Sequence, residues 1–298
     1  MGEEVCSVDG NLLGVLPQSL SQILKIYWTD DGDRAFYWDD NTGDIYVLNA
    51  NEGVFTIFKK EIWKVRNEFL LSPNGENIIF ETQKGDHETN LVMMNSTSGD
   101  LVTFDLPLPG AKYASQWLND HTVLFWSEIS EGKGYLVDAK VYTLNTTDRS
   151  VQPFDIGRNW METSVPVFSP DRQSMAFTTP DKIIIRDAHS FVERDWNVAS
   201  EKFSWSWNSD RLAIYDSSKD IYVAFLNQGD LQQIYSLSTM GDLEDWIWLP
   251  DNEHLLLIVV DGDGNRQLGV LSIEERKFTP IHLSLLGEYV PVSFSFRP

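Results

Sequence analysis

The chain has 298 residues, and 45 Asp and Glu against 23 Lys and Arg give it a formal net charge of −22 at pH 7. Nucleic acids and anionic membranes are bound by clustered basic side chains, so this balance argues against both as partners. The single cysteine, Cys6, excludes an intrachain disulfide framework. Every apolar run is far shorter than a membrane span, so we expect no membrane insertion.

A strand–turn–strand unit recurs along the chain. Its clearest copy is Val165–Phe177, in which a Phe-Ser-Pro-Asp turn separates two apolar segments. Proline fixes φ at the first turn position, and Asp hydrogen-bonds its own backbone. The aromatic or leucine residue before each turn marks the copies, which are Trp28, Leu71, Trp117, Phe168, Trp207, Trp248 and Phe296. Their mean spacing of about 45 residues, with four strands in each unit, predicts an all-β fold, a closed β-propeller of four-stranded antiparallel blades.

Each predicted blade contains a first strand before the turn, an apolar second strand, an alternating third strand and a more polar fourth strand. The second strands are predicted at Phe36–Trp38, Ile78–Phe80, Val123–Trp126, Met175–Phe177, Ala213–Tyr215 and Leu255–Val260. The blades are predicted at about 23–60, 62–108, 112–157, 160–198, 201–238 and 243–284. A chain with this period forms one domain, which we expect to cover residues 1–298.

The two ends of the chain predict a further blade. Val5–Leu16 resembles Val259–Leu271, and both segments are typical of a hairpin with an Asp-Gly turn. Val290–Phe296 has the pattern of an innermost strand with no blade after it. A blade built from 1–22 and 288–298 would close the ring and remove its exposed sheet edges. We therefore expect seven blades, with six as the alternative.

The turns also indicate a family. Phe168-Ser-Pro-Asp and Leu71-Ser-Pro-Asn-Gly, each followed by an apolar strand, together with Asp220-Ile-Tyr-Val, resemble the repeats of TolB-like (PD40) β-propellers, which are relatives of WD40 propellers. The resemblance covers essentially the whole chain and implies the propeller fold. It does not specify a function, because such propellers serve as scaffolds, receptors, enzymes and regulatory domains.

Candidate binding residues lie where second strands connect to third strands and where one blade connects to the next. In a propeller these connections share one side, which we call the loop face. Blade 3 carries the longest such connection, Ser127–Asp138, and loops on a rigid scaffold commonly bind ligands. The predicted ligand- or partner-binding residues are Trp63, Arg66, Tyr113, Arg158, Trp160, Asp245, Trp246, Asp86, Glu128 and Glu131. The alternative for the aromatic residues is packing between blades.

No cofactor is expected from the sequence. Asp261, Asp263 and Asn265 resemble the start of a calcium loop, but Arg266 stands where an EF-hand has Gly and Ser272 where it has Glu. An ordinary hairpin turn explains the same residues, so calcium is the alternative. The chain contains no Gly-x-Ser-x-Gly elbow and no His-Glu-x-x-His motif, and we assign no catalytic residue.

These observations predict a non-catalytic scaffold that binds a protein, a small ligand or a glycan through its loop face. One alternative is a hydrolase or lyase with carboxylates converging in the central pocket. Another is the regulatory propeller of a larger hydrolase. We expect a monomer. If Met1-Gly2 replaces a removed signal, the protein is periplasmic or extracellular in a bacterium; otherwise it is cytoplasmic.

Overall fold

The computed structural model is built from β-strands and connecting turns. It describes residues 4–6, 12–15, 27–29, 33–39, 42–49, 52, 54–60, 62, 69–84, 88–131, 135–155, 164 and 166–281. The chain divides into two compact units, residues 1–165 and 166–296. Each unit contains three four-stranded antiparallel sheets among these residues, numbered blades 1 to 6 in chain order. In the same residues no helix is long and apolar enough to cross a membrane. The assignment of residues 1–298 to one domain stays a prediction.

Unit 1 begins with a hairpin, β1 (Glu4–Cys6) and β2 (Leu12–Val15), and continues with blades 1 to 3. Blade 1 consists of β3 (Tyr27–Trp28), β4 (Arg34–Asp39), β5 (Asp44–Asn49) and β6 (Val54–Lys59). Blade 2 consists of β7 (Leu70–Leu71), β8 (Asn77–Gln83), β9 (Thr89–Asn95) and β10 (Leu101–Phe104). Blade 3 consists of β11 (Ala111–Asn119), β12 (Thr122–Glu131), β13 (Tyr135–Asn145) and β14 (Val151–Pro153).

Unit 2 contains blades 4 to 6. Blade 4 consists of β15 (Val167–Phe168), β16 (Ser174–Thr178), β17 (Ile183–Asp187) and β18 (Glu193–Trp196). Blade 5 consists of β19 (Ser200–Trp205), β20 (Arg211–Asp216), β21 (Asp220–Phe225) and β22 (Asp230–Ser236). Blade 6 consists of β23 (Asp242–Trp248), β24 (His254–Val260), β25 (Arg266–Ser272) and β26 (Lys277–Pro280).

The expectation of seven blades is wrong. The described strands form six four-stranded blades, and β1 and β2 pair only with each other, with Glu4 opposite Val15. The turn pattern in Val5–Leu16 correctly predicted a hairpin, because hairpin formation depends on local residues. It did not predict that, among the described strands, the hairpin joins no blade. Pairing between strands that are distant in the chain is not encoded in a local turn pattern. The predicted innermost strand at 290–296 lies outside the described residues.

The turn between the first two strands of a blade is held by one side chain in blades 2, 4 and 5. In each of these turns a serine Oγ accepts a hydrogen bond from the backbone amide five residues later. The bonds are Asn77 N to Ser72 Oγ at 2.9 Å, Ser174 N to Ser169 Oγ at 3.0 Å and Arg211 N to Ser206 Oγ at 3.0 Å. This equivalence corrects the marker of blade 5. Trp205 precedes the serine, and Trp207 occupies the place that Pro73 and Pro170 hold in the other two turns.

Tryptophan side chains on the first strands join neighbouring blades within each unit. Each indole Nε1 donates to a first-strand carbonyl of the preceding blade, Trp117 to Leu70 at 2.8 Å, Trp205 to Val167 at 2.9 Å and Trp248 to Ser204 at 3.1 Å. The three rings are at most 8% exposed, so each carbonyl is satisfied without water. The tryptophans therefore combine burial with a fixed distance between blades.

The same turns also bond to one another across blades. The amide at the third turn position is capped by a side chain of the next blade, Asn74 by Asp120 Oδ1 at 3.0 Å, Asp171 by Ser209 Oγ at 2.9 Å and Asn208 by Asn252 Oδ1 at 3.0 Å. We call these contacts the turn-to-turn bonds. They place the start of each second strand at a constant position relative to its neighbour within the unit.

Arg149 holds a backbone conformation that favours glycine. It lies in the β13–β14 turn with φ at 62°, and the corresponding residues of blades 2 and 5 are Gly99 and Gly229, both with φ at 71°. Its side chain is exposed. We expect Arg149→Gly to raise the free energy of unfolding by about 0.5–1 kcal/mol, because it removes the left-handed strain at a small entropic cost in the unfolded chain.

Urea denaturation followed by circular dichroism measures this change. Thr147→Gly, in the same turn but without a positive φ, is the control and should lower the free energy of unfolding. A loss of stability in both variants would contradict the assignment of strain to Arg149.

Candidate functional site

The structure describes only part of the predicted loop-face set. Trp63, Arg66, Asp86, Arg158 and Trp160 lie outside the described residues. The others are on strands: Tyr113 on β11, Glu128 and Glu131 on β12, and Asp245 and Trp246 on β23. Blade 3 brings Tyr113 and Glu128 together, and blade 6 holds Asp245 and Trp246.

Blade 3 carries a projecting hairpin. β12 and β13 contain 10 and 11 residues, whereas β8 and β9 of blade 2 contain seven each. The strands stay paired up to Glu131 opposite Tyr135. At about 3.3 Å per residue, the additional three residue pairs extend roughly 10 Å beyond the blade. The described residues of the predicted insertion Ser127–Asp138 are therefore extensions of β12 and β13.

Two aromatic rings and a carboxylate lie together at the base of this hairpin. Tyr113 is opposite Trp126 in the β11–β12 register, and their ring centroids are 5.1 Å apart with an interplanar angle of 31°. The Trp126 indole Nε1 donates to Glu128 Oε1 at 2.9 Å. Ala111 is opposite Glu128, and its small side chain leaves the carboxylate uncovered from that strand. All three polar or aromatic side chains are partly exposed.

Lys112 lies on the other side of the same strand. Its partner in the register is Ser127, and its backbone is held by Thr89 of blade 2, whose Oγ1 donates to the Lys112 carbonyl at 2.5 Å and accepts the Lys112 amide at 2.6 Å. Lys112 is only 5% exposed. Burial lowers the pKa of Lys112, and the charge of Glu88 opposes that effect. The structure describes no ion-pair partner for its ammonium.

Lys112 should therefore cost stability at neutral pH. Because its pKa is lowered in the folded state, the unfolded chain binds the proton more tightly, and this penalty decreases as the pH rises from the folded-state pKa to the unfolded-state pKa. We expect Lys112→Met to raise the free energy of unfolding at pH 7 by about 1 kcal/mol. The gain should shrink at alkaline pH, as followed by urea denaturation at a series of pH values.

Lys84→Met is the control for this prediction. Lys84 is exposed and forms a 3.1 Å ion pair with Asp105, so its removal should give no gain at any pH. A gain for Lys112→Met that stays constant up to strongly alkaline pH would show that the lysine does not carry a buried charge.

Blade 6 places its two predicted residues beside a bulge. The β23–β24 register shifts between Leu243 and Asp245, and the Asp245 Oδ1 accepts the amide of Trp246 at 2.9 Å. Trp246 is 9% exposed and packs in the apolar core with Tyr215 and other residues of blades 5 and 6. Trp246 therefore packs between blades, which is the role that the sequence offered as the alternative to ligand binding.

The residue in the bulge forms the strongest ion pair of this region. Glu244 accepts two hydrogen bonds from Arg266, Nε to Oε2 at 2.6 Å and Nη2 to Oε1 at 2.7 Å. These bonds lower the pKa of the Glu244 carboxyl and raise that of the guanidinium. The pair joins β23 to β25 across β24.

The turn proposed as a calcium loop is closed by its own hydrogen bonds. Asp261 Oδ1 accepts the amides of Asp263 at 2.9 Å and Asn265 at 2.8 Å, and Asp261 Oδ2 accepts Asn265 Nδ2 at 2.9 Å. The hydrogen bond from the Asn265 side chain is the main cause of the lowered pKa of the Asp261 carboxyl. In the part of the chain that the structure describes, no group of three or more His, Cys, Asp or Glu side chains could hold a metal ion.

Sequence reasoning missed one member of the blade 3 site, Trp126, which the apolar pattern assigns to a second strand. The signal for Trp126 was its alternation with Glu128, because residues two apart on a strand share a face. No sequence signal indicated that Thr89 would cover the backbone of Lys112.

The blades and their turns define a β-propeller. No protein-family model and no curated protein sequence matches the chain. Solved structures similar to it include the following three. An oligogalacturonate lyase from Vibrio parahaemolyticus has a TM-score of 0.64 and 13% identity, covering 85% of this chain and 78% of that chain. The C-terminal WD40 domain of Sif2 has a TM-score of 0.57 and 14% identity, covering 89% and 72%. TolB from Acinetobacter baumannii has a TM-score of 0.52 and 12% identity, covering 88% and 64%.

At these identities the similarity establishes the fold. The chain is a β-propeller of the kind found in TolB and WD40 proteins, as the Ser-Pro-Asp and Ser-Pro-Asn turns indicated. The same fold occurs in an oligogalacturonate lyase and in the WD40 domain of Sif2, so the function depends on the side chains that this chain displays.

Proposed function

We propose that the protein is a non-catalytic binding scaffold and that blade 3 displays its ligand site at the base of the projecting hairpin. The contacting rings of Tyr113 and Trp126, with the Glu128 carboxylate beside them, carry this proposal. An aromatic face next to a carboxylate suits a cationic group, which gains both a cation–π contact and a charged hydrogen bond.

The charge of the chain supports a basic protein segment as the ligand. A formal net charge of −22 attracts cationic partners and repels acidic ones during encounter. The same charge opposes association between copies of the chain, and we propose that it acts as a monomer. A glycan that stacks on the two rings is the alternative ligand, because aromatic faces also pack against flat apolar surfaces.

Fluorescence anisotropy with labelled peptides tests this function. The probes are Lys/Arg-rich, neutral and Glu-rich peptides of equal length, with a set of neutral oligosaccharides beside them. We expect the basic peptides to bind, and Tyr113→Leu and Glu128→Gln each to weaken that binding about tenfold. Glu52→Gln is the matched control, because Glu52 is an exposed acid of the β5–β6 turn in blade 1.

Two results would contradict the proposal. One is equal affinity of the three peptide classes, which would remove the role of charge. The other is equal loss of binding in Glu52→Gln and Glu128→Gln, which would show only a diffuse attraction. Binding of oligosaccharides that needs Tyr113 but not Glu128 would favour the glycan alternative.

A lyase is the second candidate, because one similar structure is an oligogalacturonate lyase. Incubation with oligogalacturonides, followed by the ultraviolet absorbance of an unsaturated product, tests this activity directly. Turnover would overturn the non-catalytic proposal. The strongly acidic surface argues against such a polyanionic substrate, since like charges repel during encounter.

A further inference from the structure

A cleft lies between blades 5 and 6. It is at the end of the blades that carries the turns between the first and second strands and between the third and fourth strands. Its volume is about 300 Å³, the lower end of the range of small-molecule sites. Its lining includes Arg211, Phe225, Glu253, Ile273, Glu274 and Arg276. The blade 3 residues discussed above take no part in it.

Arg211 is fixed on the floor of the cleft. Its guanidinium lies 5.4 Å from the centroid of the Phe225 ring, and its Nη1 donates to the Asn252 carbonyl at 2.7 Å. The carboxylate of Asp210 is 3.6 Å from Arg211 Nε, a distance too long for a hydrogen bond. The guanidinium is therefore oriented by an aromatic ring, a neutral carbonyl and an ion pair with Asp210 that is too long to be a hydrogen bond.

Arg276 brings a second guanidinium from the opposite blade. Its Nη2 donates to the Gln232 side-chain Oε1 at 2.7 Å, which reaches from blade 6 to blade 5. In the described residues it has no ion pair, although Glu274 and Glu275 are its near neighbours in the chain. It also holds φ at 52°, in a turn where blades 2 and 5 have glycine.

The rim of the cleft carries the opposite charge. Glu253 and Glu274 are exposed, whereas Ile273 is 4% exposed and forms part of the floor with Phe225. Two cations and two anions therefore surround one small cavity with an apolar base. In a chain of net charge −22, two arginines that line the same cleft favour a carboxylate as its ligand.

We propose that this cleft binds a small zwitterion, a free amino acid or a dipeptide with an apolar side chain. The carboxylate binds Arg276 and Arg211, and the ammonium binds Glu274 or Glu253. The apolar side chain packs on Phe225 and Ile273. A ligand with only one of the two charges satisfies either Arg276 or the glutamates but not both, so both charges contribute to selection.

Isothermal titration calorimetry on the full chain tests this site, with the twenty proteinogenic amino acids and their homodipeptides as probes. The best binder is then compared with its amide, which lacks the carboxylate, and its N-acetyl derivative, which lacks the ammonium. We expect each modification to weaken binding at least tenfold. An absence of binding by all the probes, or equal affinity for the two derivatives and the parent compound, would overturn the proposal.

Arg276→Gly removes the charge of Arg276 from the cleft without disturbing the fold of the turn. The variant places glycine where blades 2 and 5 already have it, so the turn should form, and binding should weaken at least tenfold. Arg149→Gly is the matched control, since it makes the same change in the equivalent turn of blade 3 and should bind as the wild type does. Glu274→Gln should selectively reduce the preference for the parent compound over its N-acetyl derivative. Unchanged affinity in Arg276→Gly would assign the cleft no ligand role.

Discussion

Trp248→Ala is expected to lower the free energy of unfolding by about 3–5 kcal/mol, the cost of removing a large buried aromatic side chain. Trp248 is 2% exposed and lies in the apolar core shared by blades 5 and 6. Its indole also donates to the Ser204 carbonyl at 3.1 Å, and its own carbonyl accepts Trp207 Nε1 at 2.9 Å. Urea denaturation followed by far-ultraviolet circular dichroism measures the change.

Trp248→Phe separates packing from hydrogen bonding at this position. Phenylalanine keeps most of the buried ring but leaves the Ser204 carbonyl without its donor, so we expect a smaller loss of about 1–3 kcal/mol. Equal losses for the alanine and phenylalanine variants would show that the hydrogen bond alone holds these blades together. A loss below about 1 kcal/mol for alanine would contradict the assignment of Trp248 to the core.

Gly241→Ala is expected to cost about 3–5 kcal/mol, because both the conformation and the space exclude a side chain. Gly241 lies just before β23 with φ at 140°. A Cβ at this position would be 2.0 Å from the Val260 carbonyl oxygen and 2.9 Å from the Asp261 Cα. Since both neighbours are backbone atoms at the end of β24, relief requires movement of the strand itself. Thermal unfolding and urea denaturation would both show the loss.

Gly262→Ala is the matched control for this change. It adds the same methyl group to the adjoining β24–β25 turn, where a Cβ would meet no atom within 4 Å. We expect a change within about 0.5 kcal/mol. If both alanine variants lose stability equally, the effect comes from the shared segment around Asp261 and not from the close approach of Gly241.

The blades could be predicted from sequence because their turns depend on local chemistry. A serine that caps its own turn, as in Ser72 and Ser169, together with proline and an Asx residue, specifies a reversal within about five residues. The same rule placed the marker of blade 5 two residues too late, because Trp207 stands where the other turns have proline. Blade number was harder to predict, since it depends on which distant edge the terminal strands meet.

The candidate site was predicted only in part. Tyr113 and Glu128 were selected as aromatic and acidic residues of the loop face, and the register places them on one face of blade 3. Trp126 was missed because its apolar neighbours are typical of a buried strand. The burial of Lys112 and the Glu244–Arg266 pair depend on contacts between separate strands, which no single stretch of sequence records.

The turn-to-turn bonds show what a duplicated blade must retain as its sequence diverges. The acceptor is aspartate in Asp120, serine in Ser209 and asparagine in Asn252, while the donor is in each case a main-chain amide. Because the donor belongs to the backbone, it survives any substitution except proline, and several short polar side chains can serve as its partner. Copies of the blade can therefore lose their common sequence and still fit together. A blade exchanged between two such proteins should therefore keep a short oxygen-bearing side chain at this position, besides the apolar residues and the tryptophan that pack against its new neighbour.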